Sequence, residues 1–248
     1  EKYSNEDNLA YRAYRAVLER YQLAPEPLTI NFLRCDIPIS RGLGSSSALL
    51  VGGVMAANAI HKLSMSRDEL LSVATALEGH PDNVAPALFG GLTASAVEAG
   101  IPLSVHYPLS PKLHFTALIP PFELSTALSR GVLPHDVPRA DAIFNVSRAA
   151  LLLSALGSGD IALLRAAMAD RLHEPYRRAL IDGYDTARGL AYKHGAEAMC
   201  ISGAGSTLLC VAAHPSLAED ISADLAAHLP GWRAVTLLPE LEGAHVEE

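Results

Sequence analysis

The chain of 248 residues is 50% hydrophobic and 19% charged, so it can bury a large core and is not expected to be disordered. Its formal net charge of −8, with only four lysines, gives no extended basic surface and argues against a nucleic-acid partner. Its three scattered cysteines have no metal-ligand spacing, which indicates neither a disulfide framework nor a zinc site and fits a reducing cytoplasm.

The first predicted elements are a helix and a strand. Residues 6–22 place apolar side chains at helical spacing, and either Asp7 or Asn8 can cap this helix. Residues 28–39, with the sequence LTINFLRCDIPI, are β-rich and alternate in part, which predicts a strand.

Two more helices are predicted before the middle of the chain. Residues 46–61 are small and almost wholly apolar, which is typical of a helix buried on several faces. Ser66 and Glu69 form a capping box for a helix over 66–79, which Gly79 ends. Gly, Ser, Asn or a charge breaks every long apolar stretch well short of a membrane span, and no signal peptide is visible, so we expect a soluble protein without a membrane partner.

The second half of the chain predicts a mixture of helices and strands. A hairpin is expected over 88–107, and prolines around the strand LHFTALI place a domain boundary near residue 111. Beyond it, the pattern predicts helices over 139–156, 159–171, 175–194 and 215–229, and strands over 197–201, 207–213 and 232–238.

A Gly-Ser segment, PISRGLGSSSAL at 38–49, leads into the second helix. Gly42 and Gly44 allow positive φ and the close approach of another molecule, and the serines that come next suit the first turn of a helix. The free N–H groups of such a turn attract anions, which indicates phosphate binding. The alternative from these residues alone is an ordinary loop.

A cluster of polar residues lies at the end of the third helix, in the sequence LEGHPDNVAPALFGG. Glu78, His80, Asp82 and Asn83 crowd around a turn that Pro81 forces, and they cannot all point into a core. The cluster indicates a chemical site; the alternative is a solvated loop in which Asp82 caps the next helix.

A Gly-rich turn, ISGAGSTLLCV at 201–211, joins two predicted strands, and by itself it reads most simply as a tight hairpin.

Together, these three stretches resemble the GHMP kinase superfamily. Its phosphate loop has the form P-x-x-x-G-L-G-S-S-A, and the chain reads PISRGLGSSS, with Ser47 where alanine is more usual. The SGAGST turn resembles the third motif, S-G-A-G-P-T, with Ser206 in place of proline. Within the superfamily, four stretches are similar to the homoserine kinase family: EGHPDNVAPALFGG, FELSTALSRGVLP, FNVSRAALL and LHEPYR.

The resemblance implies a two-domain α+β fold with the active site between the domains. Residues 1–111 would form a domain of the ribosomal S5 domain 2-like type, incomplete here, and residues 112–248 a ferredoxin-like domain. The implied reaction transfers the γ-phosphoryl group of ATP to the hydroxyl of L-homoserine, on the route to threonine. Such kinases are often homodimers, although nothing in the sequence fixes an interface.

The family's first motif, P-A-S-x-A-N-L-G-x-G-F-D, has no counterpart before residue 1, and residues 1–37 resemble the family's segment on the C-terminal side of that motif. We therefore expect this chain to be a fragment of a longer enzyme. The absent segment would supply sheet strands and substrate contacts, so the fragment should associate readily, bind Mg·ATP weakly and phosphorylate little homoserine.

The resemblance also implies how ATP and Mg²⁺ are held. No lysine-containing P-loop occurs, so backbone N–H groups and a helix N-terminus must serve. Ser46 and Glu78 resemble the ligands of Mg²⁺, a pair of hard oxygens. Asn8 resembles the residue that reads adenine, and the implied nucleotide loop comprises Pro38, Arg41, Gly42, Leu43, Gly44, Ser45, Ser46 and Ser47.

The substrate is a zwitterion, and the resemblance assigns residues to each of its ends. Asp82 resembles the residue that meets the ammonium, and Asn83 the one that hydrogen-bonds the accepting hydroxyl. His80 either lines this pocket or is structural. An ammonium beside Asp82 favours its charged form, so we expect the hydroxyl proton to leave late, to the transferred phosphate; a general-base role for Asp82 is the alternative.

The resemblance implies that guanidinium groups bind the carboxylate of the substrate. Arg130, with Thr126 one helical turn earlier, and Arg177 resemble the pair that grips it, and Gly203 supplies close backbone approach. Without the resemblance, both arginines read as surface ion-pair partners.

Two other functions stay open from the sequence. Another GHMP kinase would phosphorylate a different alcohol, which an assay of several alcohols would reveal. A non-catalytic amino-acid-binding module would have no need of both GLGSSS and Glu78, and calorimetry of Mg·ATP binding would identify it.

Overall fold

The computed structural model describes residues 5–247, which divide into two compact units. The first unit contains the described residues up to Ile37, Gly44–Tyr107 and those from Pro239 onward, and the second contains Pro38–Leu43 and Pro108–Leu238. The division between the units therefore falls inside the Gly-Ser segment, between Leu43 and Gly44. We keep the division of the chain into domains 1–111 and 112–248 as a proposal.

The first unit combines four helices with one hairpin. Its elements are α1 (Leu9–Arg20), α2 (Ser45–Ile60), α3 (Arg67–Glu78), α4 (Val84–Phe89), β1 (Leu92–Glu98) and β2 (Ile101–Tyr107). The predicted caps are confirmed, because Asn8 accepts from Ala10 N at 2.9 Å and Ser66 and Glu69 form the capping box of α3. Gly79 ends α3 with a φ of +93°.

The core of the first unit lies between its helices. Tyr14 and Leu18 of α1, Leu50 of α2, Leu71 of α3 and Leu88 of α4 are almost completely buried and belong to one apolar cluster. Because each helix contributes to this cluster, the packing fixes the ends of α2 and α3, where the polar site residues lie.

Close packing of α1 against α2 depends on Gly53. A Cβ at this position would lie 2.0 Å from the carbonyl oxygen of Ala10, which is a backbone atom and cannot turn away. The neighbouring Gly52 has no heavy atom within 4 Å of its would-be Cβ.

We expect Gly53→Ala to lower the free energy of unfolding by about 2 kcal/mol, because the two helices must separate. Gly52→Ala is the control and should stabilise by up to about 1 kcal/mol, since alanine is the better helix former at an open site. Urea unfolding followed by circular dichroism compares the two; equal stabilities would contradict the packing argument.

The predicted strand over 28–39 is wrong. The segment is irregular, pairs with no strand among residues 5–247, and leaves Phe32 and Leu33 exposed at 50% and 98%. The β-propensity of a residue depends on packing against neighbouring strands. A segment of high β-propensity therefore does not form a strand when no partner strand lies beside it.

The second unit is built on an antiparallel sheet of order β4-β5-β3-β6. Its strands are β3 (His114–Ile119), β4 (Ala196–Ile201), β5 (Leu208–Ala212) and β6 (Arg233–Leu237). Its helices are α5 (Thr126–Gly131), α6 (Arg139–Ser158), α7 (Ile161–Ala167), α8 (Glu174–Arg177), α9 (Tyr184–Lys193) and α10 (Leu217–His228), with a 3₁₀ turn at Arg178–Leu180. The predicted strands and the hairpin between β4 and β5 are confirmed.

Two helix predictions in this unit need correction. The helix expected over 175–194 is broken into α8, the 3₁₀ turn and α9, because Gly183 turns the chain with a φ of +83°. The helix expected over 159–171 ends at Ala167, because Asp170 instead accepts the N–H groups of Leu172, His173 and Glu174.

The cysteines are unpaired, as the sequence indicates. Cys200 on β4 and Cys210 on β5 lie inside the second unit, where burial raises the pKa of each thiol to about 12. Cys35, in the irregular segment, is exposed.

Helix α6 differs from the expectation that no apolar stretch reaches the length of a membrane span. It is the one helix among the described residues that is long and apolar enough to span a membrane, by length and composition alone. Arg148 near its middle stacks on the ring of Phe144, 3.2 Å from the ring centroid.

Candidate active site

The first part of the phosphate-loop sequence lies in the second unit, against the SGAGST turn. Ser202 Oγ donates to the carbonyl oxygen of Gly42 at 2.6 Å, and the N–H of Thr207 donates to the carbonyl oxygen of Arg41 at 3.2 Å. Gly42 has a φ of +73°, and a Cβ there would lie 2.1 Å from the Ser202 carbonyl oxygen. Only glycine fits where the loop meets the turn.

The Arg41 side chain is anchored to backbone within the same unit. Its Nη1 donates to the carbonyl oxygen of Pro120 at 2.8 Å and its Nη2 to that of Pro121 at 3.2 Å, while its Nε is buried without a hydrogen-bond partner. The guanidinium group therefore stabilises the loop through protein contacts. Nucleotide binding by Arg41 stays a prediction.

The second part of the loop opens α2 in the first unit. Gly44 is the N-cap residue with a φ of +75°, and it provides no side-chain cap. The first N–H groups of α2 are thus left without a capping side chain, which is the arrangement that attracts phosphate oxygens.

Two loop serines bind the carboxylate that ends α3. Ser46 Oγ donates to Glu78 Oε1 at 2.7 Å, and Ser47 Oγ donates to the same oxygen at 3.0 Å. Ser47 is almost completely buried, so its hydroxyl is fixed in this contact. From the sequence, Ser47 was expected only to belong to the nucleotide loop. The one signal of a further role was that serine stands where alanine is more usual.

The oxygen atoms around Glu78 fit a magnesium ion. Among residues 5–247, no group of three or more His, Cys, Asp or Glu side chains could hold a metal by itself. Mg²⁺ needs less, because it is commonly held by one or two protein oxygens together with substrate phosphates and water. Glu78 and Ser46 provide such a pair at the start of α2.

The polar turn after α3 brings the three predicted substrate residues together. His80 Nδ1 lies 2.5 Å from Asp82 Oδ1, and Asn83 Nδ2 donates to the same oxygen at 3.5 Å. Asn83 is the N-cap of α4 but makes no side-chain capping bond, and its Oδ1 lies 3.9 Å from the would-be Cβ of Gly44. The Asp82 side chain is 68% exposed, so the cluster lies open beside the start of α2.

The two predicted carboxylate-binding arginines lie close together in the second unit. Burial lowers the pKa of Arg177, and the positive charge of Arg130 lowers it further, so the two guanidinium groups repel each other. Among the described residues, neither arginine takes part in an ion pair. The surface ion pairs considered as an alternative are therefore not found, and an anion between the two groups would relieve their repulsion.

Arg177 is held in place by backbone carbonyls. Its Nη1 donates to Gly203 O at 3.0 Å and its Nε to Ser129 O at 3.3 Å. Ser129 is fully buried, and its Oγ donates to Ala204 O at 2.6 Å. The turn at 202–206 and the helix α5 therefore position Arg177 together, a role for Ser129 that the sequence did not suggest.

The two remaining predicted residues lie at helix N-termini. Thr126 begins α5, one turn before Arg130, and the preceding Ser125 caps this helix by accepting from Leu128 N at 3.1 Å. Asn8 uses its Oδ1 to cap α1. The adenine contact of Asn8 stays a prediction.

Comparison with known proteins gives the family of the chain. The family model described as GHMP kinases N terminal domain matches residues 8–91. The model described as GHMP kinases C terminal matches residues 152–231. A homoserine kinase of Clostridium botulinum is 40% identical over 98% of this chain and 83% of its own length.

Solved structures agree with this match. A putative homoserine kinase of Listeria monocytogenes is 32% identical with a TM-score of 0.78, covering 98% of this chain and 81% of that chain. The homoserine kinase of Cytophaga hutchinsonii has a TM-score of 0.82 at 24% identity, over 98% of this chain and 78% of that chain, and it supports the fold alone.

Proposed function

The chain belongs to the homoserine kinase family of the GHMP kinases, and from this premise we propose that it transfers the γ-phosphoryl group of ATP to the side-chain hydroxyl of L-homoserine. The product is O-phospho-L-homoserine, an intermediate of threonine biosynthesis. The observation that carries the choice of an amino-acid acceptor is the pair Arg130 and Arg177, two close guanidinium groups without an ion-pair partner among the described residues. We place the reaction in the cytoplasm.

ATP binds through backbone more than through side chains in this proposal. The uncapped start of α2 and the glycines at 42 and 44 provide N–H groups to the phosphates, and no lysine is required. Ser202 and the Arg41 side chain act indirectly, because they hold residues 40–43 in shape.

Magnesium fits the oxygen atoms of Ser46 and Glu78. The ion, when bound, neutralises charge on the phosphate oxygens during transfer. Ser47 positions Glu78 by donating to the oxygen that Ser46 also contacts.

Homoserine is recognised at its two charged ends. Arg130 and Arg177 bind the carboxylate, with Thr126 and the backbone of Gly203 nearby, and Asp82 binds the ammonium. Asn83 hydrogen-bonds the hydroxyl that attacks.

Proton transfer from the hydroxyl does not require a base of its own. Asp82 already contacts His80 at 2.5 Å and would also meet the ammonium, so its carboxylate is occupied as a charge partner. We propose that His80 positions Asp82 and that the hydroxyl proton leaves late, to the transferred phosphate.

Coupled ADP release by the purified protein tests the proposal. We expect ADP release with L-homoserine and Mg·ATP, and none above background with mevalonate or a neutral sugar. Release with another alcohol but not with homoserine would assign a different GHMP kinase activity. Mg·ATP binding by calorimetry without turnover of any alcohol would indicate a binding module.

Arg177→Lys keeps the positive charge but loses the planar fork that binds a carboxylate with two hydrogen bonds. We expect the KM for homoserine to rise at least about tenfold, or about 1.4 kcal/mol, with the KM for ATP nearly unchanged. Arg233→Lys, at an exposed position on β6, is the control and should leave both KM values unchanged. Equal increases in the two KM values for Arg177→Lys would indicate a structural role instead.

A further inference from the structure

The segment formed by α8 and the 3₁₀ turn that follows it has two sides with different surroundings. Arg177 extends to Ser129 and Gly203, where the proposed carboxylate site lies. Glu174, Pro175 and Arg178 instead line a separate cavity of about 280 Å³ within the second unit. This volume is close to the lower end of small-molecule sites, roughly 300–1,000 Å³.

The cavity contains two arginines that have no anionic partner. Arg165, a third lining arginine, pairs with Glu197. Arg178 and Arg188 also line the cavity, and neither forms an ion pair with any described residue.

The two carboxylates of the cavity are already occupied by neighbouring donors. Asp170 accepts from Asn145 Nδ2 at 2.5 Å and from the N–H groups at 172–174. Although burial opposes it, these hydrogen bonds lower the pKa of Asp170 below its usual value. Glu174 accepts from the hydroxyl of Tyr184. Among the described residues, neither carboxylate forms an ion pair with Arg178 or Arg188.

The remaining walls of the cavity are apolar. Met168 and Met199 lie along it, with Pro175 and the ring of Tyr192. Methionine side chains adapt to short aliphatic groups of irregular shape. The cavity thus offers guanidinium groups for an anion and an apolar surface for a short carbon chain.

We propose that this cavity binds a small phosphate monoester with a short aliphatic chain, whose phosphate is held by Arg178 and Arg188. A phosphate dianion carries up to two negative charges and has enough acceptor oxygens for two guanidinium forks. Under the proposed function, the enzyme's own product belongs to this class, and so do phosphate esters from other reactions. The site is distinct from Arg130 and Arg177, but Arg178 directly follows Arg177 in the chain, so occupation of the cavity is coupled to the position of Arg177.

Calorimetry with glycerol 3-phosphate tests the proposal independently of kinase activity, since this probe lacks the carboxylate and ammonium that the substrate site recognises. We expect saturable binding that the double variant Arg178→Gln/Arg188→Gln weakens at least about tenfold, or about 1.4 kcal/mol. Arg139→Gln, which changes an exposed arginine on α6, is the control and should bind as the wild type does. Unchanged binding by the double variant, or no binding by the wild type, would overturn the proposal.

A second variant tests the proposal even if the double variant does not fold. Ala169→Trp leaves both arginines in place and fills the cavity from an exposed lining position, so it should abolish binding while thermal unfolding stays cooperative. Wild-type affinity in this variant would place the bound ester elsewhere.

The source of the ester and its coupling to the substrate site are tested together. O-phospho-L-homoserine should bind at two sites per chain in the wild type and at one in the double variant. The KM for homoserine should change with glycerol 3-phosphate in the wild type but not in the double variant. Binding of glycerol 3-phosphate alone would assign the site to another ester, and an unchanged KM would refute the coupling.

Discussion

Gly42→Ala is expected to lower kcat/KM by roughly 100- to 1,000-fold, about 3–4 kcal/mol of transition-state stabilisation. A Cβ at this position would lie 2.1 Å from the carbonyl oxygen of Ser202 and 2.8 Å from that of Gly205. Both obstacles are backbone atoms, so the loop must leave the SGAGST turn, and the N–H groups proposed to hold the phosphates move with it. Steady-state kinetics with both substrates, together with a thermal unfolding curve, measure the effect.

Gly100→Ala is the matched control for this substitution. Gly100 also has a positive φ, +81°, but no heavy atom lies within 4 Å of its would-be Cβ. Alanine at position 100 therefore introduces the backbone strain without the collision. We expect kcat/KM within about twofold of the wild type and a slightly lower melting temperature. A similar loss of activity in the two variants would show that strain alone, and not the crossing of loop and turn, is responsible.

Glu78→Gln is expected to lower kcat by on the order of 1,000-fold while the KM for homoserine changes little. The amide oxygen of glutamine can still accept from Ser46 and Ser47, so the local fold should survive. The substitution removes the negative charge that favours Mg²⁺ at this position. We therefore also expect the half-saturating Mg²⁺ concentration to rise, measured as kcat against Mg²⁺ at saturating ATP and homoserine.

Ser47→Ala provides the comparison for Glu78. It restores the residue that is more usual in the superfamily's loop and removes one of two hydroxyls from Glu78, so kcat should stay within about fivefold of the wild type. Wild-type kcat and an unchanged Mg²⁺ requirement in Glu78→Gln would remove Glu78 from the metal site.

Local sequence signals predicted α1, α2 and α3 of the first unit well, whereas α4 was not predicted. Asn8, Ser66 and Gly79 mark helix ends through contacts within a few residues, so the sequence pattern contains the necessary information. Local contacts do not determine the structure of segment 28–39 in this way. A strand forms only beside a partner strand, and the local sequence pattern does not show whether a partner is present.

The candidate site was predictable in its residue types but not in its supporting contacts. The motifs indicated Ser46, Glu78 and Arg177, and the roles of these residues stay predictions. The anchoring of Arg41 on Pro120 and Pro121 joins residues about eighty positions apart, and no local pattern encodes such a contact. The same is true of Ser129, which looks like an ordinary helical serine in the sequence.

The raised thiol pKa values of the partly exposed Cys200 and the buried Cys210 have a practical consequence for labelling. A thiol reacts with maleimides as the thiolate, and raising the pKa to about 12 leaves almost none of it at neutral pH. Cys35 is the exposed cysteine, and it lies three residues before Pro38, where the phosphate-loop sequence begins. The native protein therefore already carries a selective attachment point for a fluorophore, so nucleotide binding at the loop can be followed by fluorescence without removing any cysteine.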